Sequence, residues 1–594
     1  MSDYILVAVA WPYANSSIHV GNLTGSYLPA DIFARYHRLA GNHVLMVSGS
    51  DAHGTPVAVR ADAEGISTVE VYERFHLGFI ELFQKLGLSY DLFTSTHTEN
   101  HFKVSQAIFL ALKENGYLYT QSEQQWYSPI QKRFLPDRYV EGTCYLCGYE
   151  NARGDQCDQC GNLLDAAQLI DPRSKIDNST PTLVETKHFY LDLEALEPNI
   201  IEFLQEHESY WRPNVLRQSL GQILAKGLHG RAITRDLDWG IPVPVPGWEG
   251  KCLYVWFEAV IGYLSAAIEW ASANNQPEVW ENWWFNPEMR SYYFIGKDNI
   301  PFHAVIWPAQ LIGAGESFGK IFENHTATNL TLPYDIPANE FMNLEGQKIS
   351  GSRNWAVWGL DFLERYDPDA LRYYLTANMP ESKDTDWDWE DFVRRNNDEL
   401  VATWGNLANR VLSFCYKHWE GKVPEPGERS PEDIAILEIV ENGFETVAAH
   451  LEAVHLRAAL SEGMRIAGEV NKYLDQAAPW LRIKTDKDSA ATSVYVALRA
   501  IDSIKVLFAP FLPFSCERLH SYLGYTTPLF GDQFTELRND DLGDHTVLRY
   551  RSESNAKKWL PSQLKAGQKL ERPERLFIKL ESSIAQEERT RLGK

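Results

Sequence analysis

The N-terminal stretch constrains the fold more than any other part of the sequence. Residues 4–10 are a short apolar run that ends at Trp11 and Pro12, and residues 44–47 form a second apolar run. Short runs of this kind are typical of strands buried on both faces of a parallel sheet. A loop and a helical stretch at about residues 23–39 separate the two runs. This order of elements predicts the opening of a doubly wound nucleotide-binding fold.

The length of the chain requires several domains, because 594 residues are too many for one hydrophobic core. After about residue 115 the pattern becomes turn-rich and carries clustered cysteines, and strand-like runs return at 253–256 and 292–295. From about residue 389 apolar residues recur every three or four positions, as on the buried face of a helix. The sequence predicts an α/β domain with an insertion, followed by a helical domain.

The net charge of −24 argues against a protein that coats nucleic acid, since phosphate contacts need Lys and Arg. It does not exclude a local basic groove on an acidic body. The N-terminus lacks a basic segment followed by a long apolar stretch, and its apolar run is far too short to span a membrane. We therefore expect a cytoplasmic protein that does not bind membranes.

Four of the seven cysteines form two Cys-x2-Cys turns, Cys144 with Cys147 and Cys157 with Cys160. Each turn brings two sulfur atoms to one side of the backbone, and two turns complete a tetrahedron around Zn²⁺. Unrelated free cysteines or a dithiol redox pair are the alternatives, but the spacing favours zinc. Because four ligands close the coordination sphere, the predicted zinc ion is structural.

His19, Gly21 and Asn22 lie between the first predicted strand and the following helix. A glycine there lets the backbone approach a phosphate, and the helix N-terminus supplies N–H donors. His19 and Asn22 are able to donate further hydrogen bonds as negative charge develops on a phosphate. Alone, a His-x-Gly sequence is weak, because a histidine in a turn is common.

The sequence resembles the methionyl-tRNA synthetases, a family of class I aminoacyl-tRNA synthetases, from about residue 4 to about residue 520. Several motifs carry this resemblance: Trp11-Pro12-Tyr13-Ala14-Asn15, Ile18-His19-Val20-Gly21-Asn22, Asp51-Ala52-His53-Gly54-Thr55-Pro56, Tyr254-Val255-Trp256, Phe294-Ile295-Gly296-Lys297-Asp298 and Asp369-Ala370-Leu371-Arg372-Tyr373-Tyr374. The two cysteine pairs also stand where the family carries them.

The resemblance implies an ATP-dependent methionine–tRNA ligase with a Rossmann-type catalytic domain and an α-helical anticodon-binding bundle. L-methionine reacts with ATP to form methionyl-adenylate and pyrophosphate, and the methionyl group then passes to the 3′-terminal ribose of tRNA. Its expected partners are ATP with Mg²⁺ and the initiator and elongator forms of tRNA(Met), and a monomer is expected. The implied segments are 1–115 (first Rossmann half), 116–235 (zinc-bearing connective insertion), 236–330 (second Rossmann half), 331–390 (mobile-loop and stem-contact region), 391–545 (helical anticodon-binding domain) and 546–594 (tail that packs back).

Site residues follow from the same resemblance. His19, Asn22 and Lys348 are implied to be catalytic. The implied ATP-binding residues are Gly21, Lys297, Lys348, Ser350, Ser352 and Arg353. The implied methionine-binding residues are Trp11, Tyr13, Asp51, Trp256, Ala259, Tyr263, Asp298, Phe302, His303 and Trp307, with Asp51 holding the ammonium group. An aromatic pocket suits a thioether, which makes favourable contacts with ring edges.

The sequence departs from the family at the mobile lysine loop. Class I enzymes carry Lys-Met-Ser-Lys-Ser there, whereas this chain has Gly351 in place of the second lysine, between Ser350 and Ser352. Arg353 or Lys297 is expected to supply the missing charge. A non-catalytic paralogue is therefore one alternative hypothesis. A sister enzyme for Leu, Ile, Val or Cys is another, although the insertion of about 120 residues leaves no room for a large editing domain.

The resemblance also implies an anticodon-binding surface made by Asn406, Arg410, Pro479 and Trp480. Asn and Arg side chains are able to hydrogen-bond base edges, and an exposed Trp is able to stack on an unpaired base. Trp480 as a core aromatic and Arg410 as part of a solvated face are the alternatives.

Overall fold

A seven-stranded sheet forms the centre of the catalytic part of the molecule. The computed structural model describes residues 3–594 except 136–138, 155–156, 158, 161–163, 165–167, 324–327 and 553–555. The strands Tyr4–Val9 and His43–Ser50 lie side by side and parallel, as the N-terminal pattern predicts. In order across the sheet the strands are Ala338–Asn339, Arg290–Gly296, Tyr4–Val9, His43–Ser50, Leu92–Ser95, Gly543–Arg551 and Asp532–Asp540.

Both faces of the central strands are buried, because successive side chains of a strand point to opposite faces. Ile5, Val7 and Val9 enter one hydrophobic core, whereas Leu6 and Ala8 enter a second core on the opposite face. Helices cover the two faces, and among the described residues no helix is long and apolar enough to cross a membrane. The main helices of this domain are Leu28–Ala40, Thr55–Glu64, Thr68–Leu86, Glu99–Glu114, Gly262–Ala273 and Trp307–Ala314.

The cysteine-bearing insertion contains two small sheets. A long antiparallel pair, Leu118–Ser128 with Thr182–Leu191, forms the base, with Arg133–Phe134 and Arg231–Ala232 at its edges. Val140–Thr143, Ala152–Arg153 and Ile170–Ser174 form the second sheet beside the cysteines. The helices Leu193–Glu206, Pro213–Gln218 and Leu220–Lys226 lead back towards the catalytic domain.

Helices dominate the segment that follows the catalytic domain, so the prediction of an α/β domain followed by a helical bundle is confirmed. Apolar residues of these helices, such as Val440, Ile466 and Leu507, are buried in a core that is continuous with one face of the central sheet. The helices are Trp389–Arg395, Asn406–His418, Pro431–Glu452, Leu456–Ala477, Lys487–Phe508 and Pro513–Tyr522, with a π-helix at Asn396–Gly405.

Two parts of the fold differ from the prediction. Residues 532–551, expected in the helical domain and the tail, form a hairpin that pairs with Leu92–Ser95 at the edge of the central sheet. Along most of the first strand of this hairpin, partly buried and exposed residues alternate, which is the period-2 pattern of a β-strand. Such a pattern forms a strand only where a neighbouring strand is available for pairing. The strand expected at 253–256 is limited to Cys252–Leu253, because Val255–Glu258 begins a helix. The tail contributes one described helix, Ser583–Arg589.

The buried guanidinium of Arg372 joins the catalytic and helical domains. It donates to the carboxylate of Asp31 at 2.7 Å and to the backbone oxygen of Leu86 at 3.2 Å, both in the catalytic domain. It also donates to the backbone oxygens of Pro510 at 2.9 Å and Phe511 at 2.8 Å, just after the helix Lys487–Phe508 of the bundle. One side chain therefore satisfies polar groups from both domains.

Asp31 is the counter-charge of this junction and is itself fully buried. It also accepts hydrogen bonds from Arg35 at 2.9 Å and from the backbone N–H of Ser89 at 2.7 Å. Burial alone would raise the pKa of Asp31, but the two arginines and Ser89 lower it to about 2. The carboxylate therefore stays charged at all pH values above its ordinary range.

We predict that Asp31→Ala lowers the free energy of unfolding by about 3–5 kcal/mol, because it leaves the buried guanidinium of Arg372 without its counter-charge. Since the folded pKa of Asp31 lies below its unfolded value, its contribution is complete above the unfolded value near pH 4 and is lost only as the pH falls towards 2. Urea denaturation of the variant and the parent protein at pH 5 and pH 8 checks this. A loss below 1 kcal/mol, or one that differs strongly between the two pH values, would contradict it.

Candidate active site

A cavity of about 480 Å³ opens at the carboxyl ends of the parallel strands. It begins where the strand Tyr4–Val9 ends and continues past Asp51 at the end of the next strand. Ligands bind at this edge of open α/β sheets because the loops there diverge and leave a crevice. We call this space the reaction cavity.

Aromatic rings form one wall of the reaction cavity. The rings of Trp256 and Phe302 are stacked with their centroids 4.1 Å apart, and the edge of Tyr13 meets Trp256 at 5.7 Å. Trp11 meets Tyr263 edge to face at 6.4 Å. Nine of the ten residues predicted to bind the amino acid line this cavity, namely Trp11, Tyr13, Asp51, Trp256, Ala259, Tyr263, Asp298, Phe302 and His303.

Two glycines make room for the ring of Trp11. A Cβ atom on Gly49 would lie 2.2 Å from the indole, and one on Gly262 would lie 2.6 Å from it. These distances are far below van der Waals contact, so any side chain at either position displaces Trp11. The indole is therefore packed between the second strand and the helix that begins at Gly262.

Hydrogen bonds fix the protonation of His303 in the aromatic wall. Nδ1 lies 2.9 Å from the backbone oxygen of Asn299, so it carries the proton and donates. Nε2 then accepts from the hydroxyl of Tyr263 at 2.7 Å. Burial lowers the pKa of His303 to about 4, so the imidazole is neutral at neutral pH. This wall of the cavity carries polar atoms without adding a charge.

Asp51 places a buried carboxyl group in the wall of the cavity. It is only 3% exposed, and within the described part of the chain no group forms a hydrogen bond with its Oδ1 atom. Burial and the neighbouring charge of Glu258 raise the pKa of Asp51 well above its ordinary value. A cation bound beside Asp51 would compensate for this unfavourable environment.

Behind Asp51, one buried carboxylate holds two histidines. Glu258 contacts Nδ1 of His53 at 2.9 Å and Nε2 of His101 at 2.7 Å. Burial alone would raise the pKa of Glu258, but these two histidines lower it, so Glu258 remains charged. The sequence prediction did not include Glu258 or His101. The only sequence feature that pointed to this group was His53, in the motif at residues 51–56. Its spacing from His101 and Glu258 follows no recognisable pattern.

His19 and Gly21 also line this cavity. The backbone N–H of Asn22 donates to Nδ1 of His19 at 3.3 Å, which leaves the ring proton on Nε2. Burial lowers the pKa of His19 to about 4, so the ring is a neutral donor. A Cβ atom on Gly21 would lie 3.0 Å from this ring, so the lack of a side chain at Gly21 leaves room for the imidazole beside the first turn of the helix.

In the lysine loop, residues 348–353, only one of the two charged side chains lines the cavity. Lys348 lines the cavity, whereas Lys297 forms ion pairs with Glu340 at 2.6 Å and Asp384 at 2.8 Å. Arg353 is exposed at the end of the short helix Gly351–Arg353. In this conformation neither of the two expected substitutes for the second lysine lines the cavity.

Two further predicted residues, Trp307 and Ser350, lie away from the cavity wall. Trp307 is fully buried and donates from its indole to the hydroxyl of Tyr293 at 3.0 Å, one layer behind Tyr263. The backbone of Ser350 pairs with that of Trp355, and the side chain of Ser352 lies outside the described residues.

The four cysteines of the insertion come together as a candidate metal centre. Their sulfur atoms all lie within 4.8 Å of one another. Sγ of Cys147 is 3.6 Å from that of Cys157, and Sγ of Cys144 is 4.0 Å from that of Cys160. With Zn–S distances of about 2.3 Å, a tetrahedral site needs S–S distances of about 3.8 Å. The donor set therefore fits zinc.

The predicted anticodon residues lie together on the helical domain. The guanidinium of Arg410 covers the ring of Trp480 at 4.3 Å and lies 3.6 Å from Asp475. Asn406 is exposed one helical turn away, whereas Pro479 is buried and starts the short helix Pro479–Arg482 that carries Trp480. Trp480 is only partly buried, so it is neither a fully buried core residue nor a fully exposed ring for base stacking.

Comparisons with known proteins agree over the whole chain. The family profile described as tRNA synthetases class I (M) matches residues 5–412, and the one described as the anticodon binding domain of methionyl tRNA ligase matches residues 423–540. The methionine–tRNA ligase of Thermomicrobium roseum is 54% identical over 594 residues, which cover 100% of this chain and 99% of the relative. That of Roseiflexus castenholzii is 52% identical over 601 residues, with the same coverage.

The structure is also similar to solved ones. Mycobacterium tuberculosis methionyl-tRNA synthetase in complex with methionyl-adenylate superposes with a TM-score of 0.75 at 26% sequence identity. The match covers 97% of this chain and 100% of that one.

Proposed function

The chain belongs to the methionyl-tRNA synthetase family and is a methionine–tRNA ligase, and we propose that its two reactions take place in the reaction cavity. The observation that carries this proposal is the position of Asp51, a buried carboxylate that shares one cavity with the aromatic wall and with His19. The ammonium group of methionine binds Asp51, and the thioether lies against Trp256 and Phe302.

In the first reaction a carboxylate oxygen of methionine attacks the α-phosphorus of ATP, and pyrophosphate leaves with its Mg²⁺. No covalent bond to the protein is needed, so the protein contributes position and charge stabilisation. Nε2–H of His19 donates to the phosphate as charge develops there, with the amide of Asn22 beside it. In the second reaction a 3′-terminal ribose hydroxyl of tRNA attacks the methionyl carbonyl, and AMP leaves.

We predict that methionine binding weakens as the pH falls. Only ionised Asp51 attracts the ammonium group, and its pKa is raised in the free enzyme. The KM for methionine should therefore be flat above that pKa and rise about tenfold per pH unit below it. Measuring ATP–pyrophosphate exchange from pH 5 to pH 8 checks this.

Asp51→Asn is the matched control for that measurement, since it keeps the shape and removes the charge. The variant should lose at least ~10²-fold in kcat/KM for methionine, and its remaining KM should not follow this pH dependence. A normal KM in Asp51→Asn would mean that another group holds the ammonium.

The lysine loop gives a second prediction. Lys348→Ala should slow adenylate formation about 10²–10³-fold with little change in methionine binding, because its contact with the triphosphate forms mainly in the transition state. Gly351→Lys should leave the rate unchanged or raise it, since the one crowded contact of its Cβ, the ring of Trp358 at 3.2 Å, is relieved by a small shift of that ring. Single-turnover adenylate formation measures both. Adenylate formation at the parental rate in Lys348→Ala would show that the loop is not catalytic.

We further propose that the four cysteines hold one structural Zn²⁺, supported by their sulfur distances and by the closed set of four ligands. Elemental analysis of freshly purified protein should find one zinc per chain. Cys157→Ser should lose the metal and make the insertion more sensitive to proteolysis, while Cys252→Ser, outside the cluster, should keep it. Less than half a zinc per chain in the parent protein would contradict the proposal.

Anticodon recognition is proposed for Asn406, Arg410 and Trp480, supported by their shared, partly exposed surface. Trp480→Ala should weaken tRNA charging by about 1–3 kcal/mol through lost base stacking, both for initiator and for elongator tRNA(Met). Pyrophosphate exchange should stay unchanged, because it does not need tRNA. Equal losses in both reactions would assign Trp480 a purely structural role. We also propose that the enzyme acts as a monomer.

A further inference from the structure

The lysine loop is flanked on each side by a residue with a left-handed backbone. Glu345 precedes the loop and Asn354 follows it, and both have a φ of 50°. A glutamate rarely adopts this conformation, which persists only where neighbouring contacts hold it. Residues of this kind beside a loop are the places where the backbone turns when the loop moves. The contacts of Glu345 and Asn354 therefore help to determine where Lys348 lies.

Glu345 is held by Arg589, the last residue of the helix Ser583–Arg589. The two side chains form an ion pair at 3.0 Å. Arg589 also pairs with Glu390 at 2.7 Å and with Asp388 at 3.4 Å, so one guanidinium is the shared counter-charge of three carboxylates. Without this guanidinium the carboxylates would repel one another, which favours a different position of Glu345.

Asn354 is held by the residues that follow the same helix. The backbone N–H of Gly593 donates to the backbone oxygen of Asn354 at 3.0 Å, and the side-chain amide of Asn354 donates to the backbone oxygen of Lys594. Oδ1 of Asn354 accepts from the indole N–H of Trp358 at 2.7 Å. The backbone of Trp358 forms a β-bridge with that of His19, so these contacts continue to the proposed phosphate site.

This part of the chain has its own attachment to the rest of the protein. The backbone of Leu580 exchanges two hydrogen bonds with the side chain of Asn397 in the helical domain, both at 2.8 Å. Glu588 is buried and accepts from Arg365 at 3.0 Å and from the hydroxyl of Tyr366 at 2.8 Å. Residues 588–594 are therefore held in place by contacts other than those with the flanks of the loop.

We propose that residues 588–594 position the lysine loop for adenylate formation. Arg589 and the backbone of residues 593 and 594 are positioning groups, because they contact the residues that flank the loop and do not line the reaction cavity. The proposal rests on the catalytic role proposed above for Lys348. A loop with fixed ends loses less conformational freedom when Lys348 reaches the triphosphate. Its position matters more in this chain because Gly351 stands in place of the second lysine.

Arg589→Ala tests the contact before the loop. It should slow single-turnover adenylate formation about tenfold, because a displaced loop no longer holds Lys348 in the productive position. The KM for methionine should stay unchanged, since Arg589 does not line the cavity in which methionine is proposed to bind. Arg589→Lys should recover part of the rate, because lysine keeps the charge but lacks the planar guanidinium that pairs with several carboxylates.

The same segment contains a matched control. Arg591 is exposed and pairs with Glu588 at 3.7 Å, and not with a residue beside the loop. Arg591→Ala should therefore form adenylate at the parental rate. An equal loss in Arg591→Ala and Arg589→Ala would contradict the proposal, because it would assign the effect to the general stability of the segment.

Asn354→Asp tests the contact after the loop without changing Arg589. This variant keeps an acceptor for the indole of Trp358 and removes the amide that donates to Lys594. It should slow adenylate formation in the same way as Arg589→Ala. Because it keeps the shape of the side chain, it also provides a test if Arg589→Ala fails to fold.

A double variant shows whether Arg589 acts through Lys348. If it does, Arg589→Ala should cause no further loss in a chain that already carries Lys348→Ala. A further tenfold loss in that background would overturn the proposal. Parental adenylate formation in both Arg589→Ala and Asn354→Asp would also overturn it, and so would a defect confined to tRNA charging. Adenylate formation at the parental rate in Lys348→Ala alone would instead refute the proposed catalytic role of the loop.

Discussion

The buried guanidinium of Arg372 is the interaction on which the rest of the structure depends. It binds Asp31 on one side and the backbone oxygens of Pro510 and Phe511 on the other, so its hydrogen bonds add directional contacts to the apolar core that the two domains share. A buried ion pair contributes little to stability compared with apolar packing, but it tolerates few alternative geometries.

The charged and neutral side chains of the reaction cavity match the charges of the substrates that are proposed to bind there. The imidazoles of His19 and His303 are held neutral by burial, so they donate or accept hydrogen bonds without attracting ions. Asp51 has a buried carboxylate oxygen that faces no donor among the described residues, and methionine brings the ammonium group that suits it. Among the described residues that line the cavity, Lys348 is the one Lys or Arg, and the triphosphate of ATP is expected beside it.

The sequence predicted those parts of the molecule whose structure depends on residues that are close together in the chain. Buried parallel strands open a crevice at their carboxyl ends, and two Cys-x2-Cys turns bring four sulfurs together, so the place of the cavity and the cysteine cluster both follow from the sequence pattern. The roles of Asp51 and His19 were predicted from the resemblance to a known family. Most of the aromatic wall was available only through the resemblance to a known family. The hairpin at 532–551 was missed because its weak period-2 pattern gives no sign of the sheet edge, hundreds of residues away, with which it pairs. Glu258 was missed for the same reason, because it meets His53 only in the folded chain. The ion pairs of Lys297 with Glu340 and Asp384 are likewise visible only in the structure.

The central claim is that the aromatic wall and Asp51 select methionine for reaction with ATP in this cavity. ATP–pyrophosphate exchange in the absence of tRNA tests it most directly, with methionine, leucine, isoleucine and valine compared in turn. The account predicts exchange with methionine and at least ~10²-fold lower kcat/KM with each of the other three, since a pocket shaped for an unbranched thioether discriminates by fit. Comparable exchange with leucine would contradict the claim.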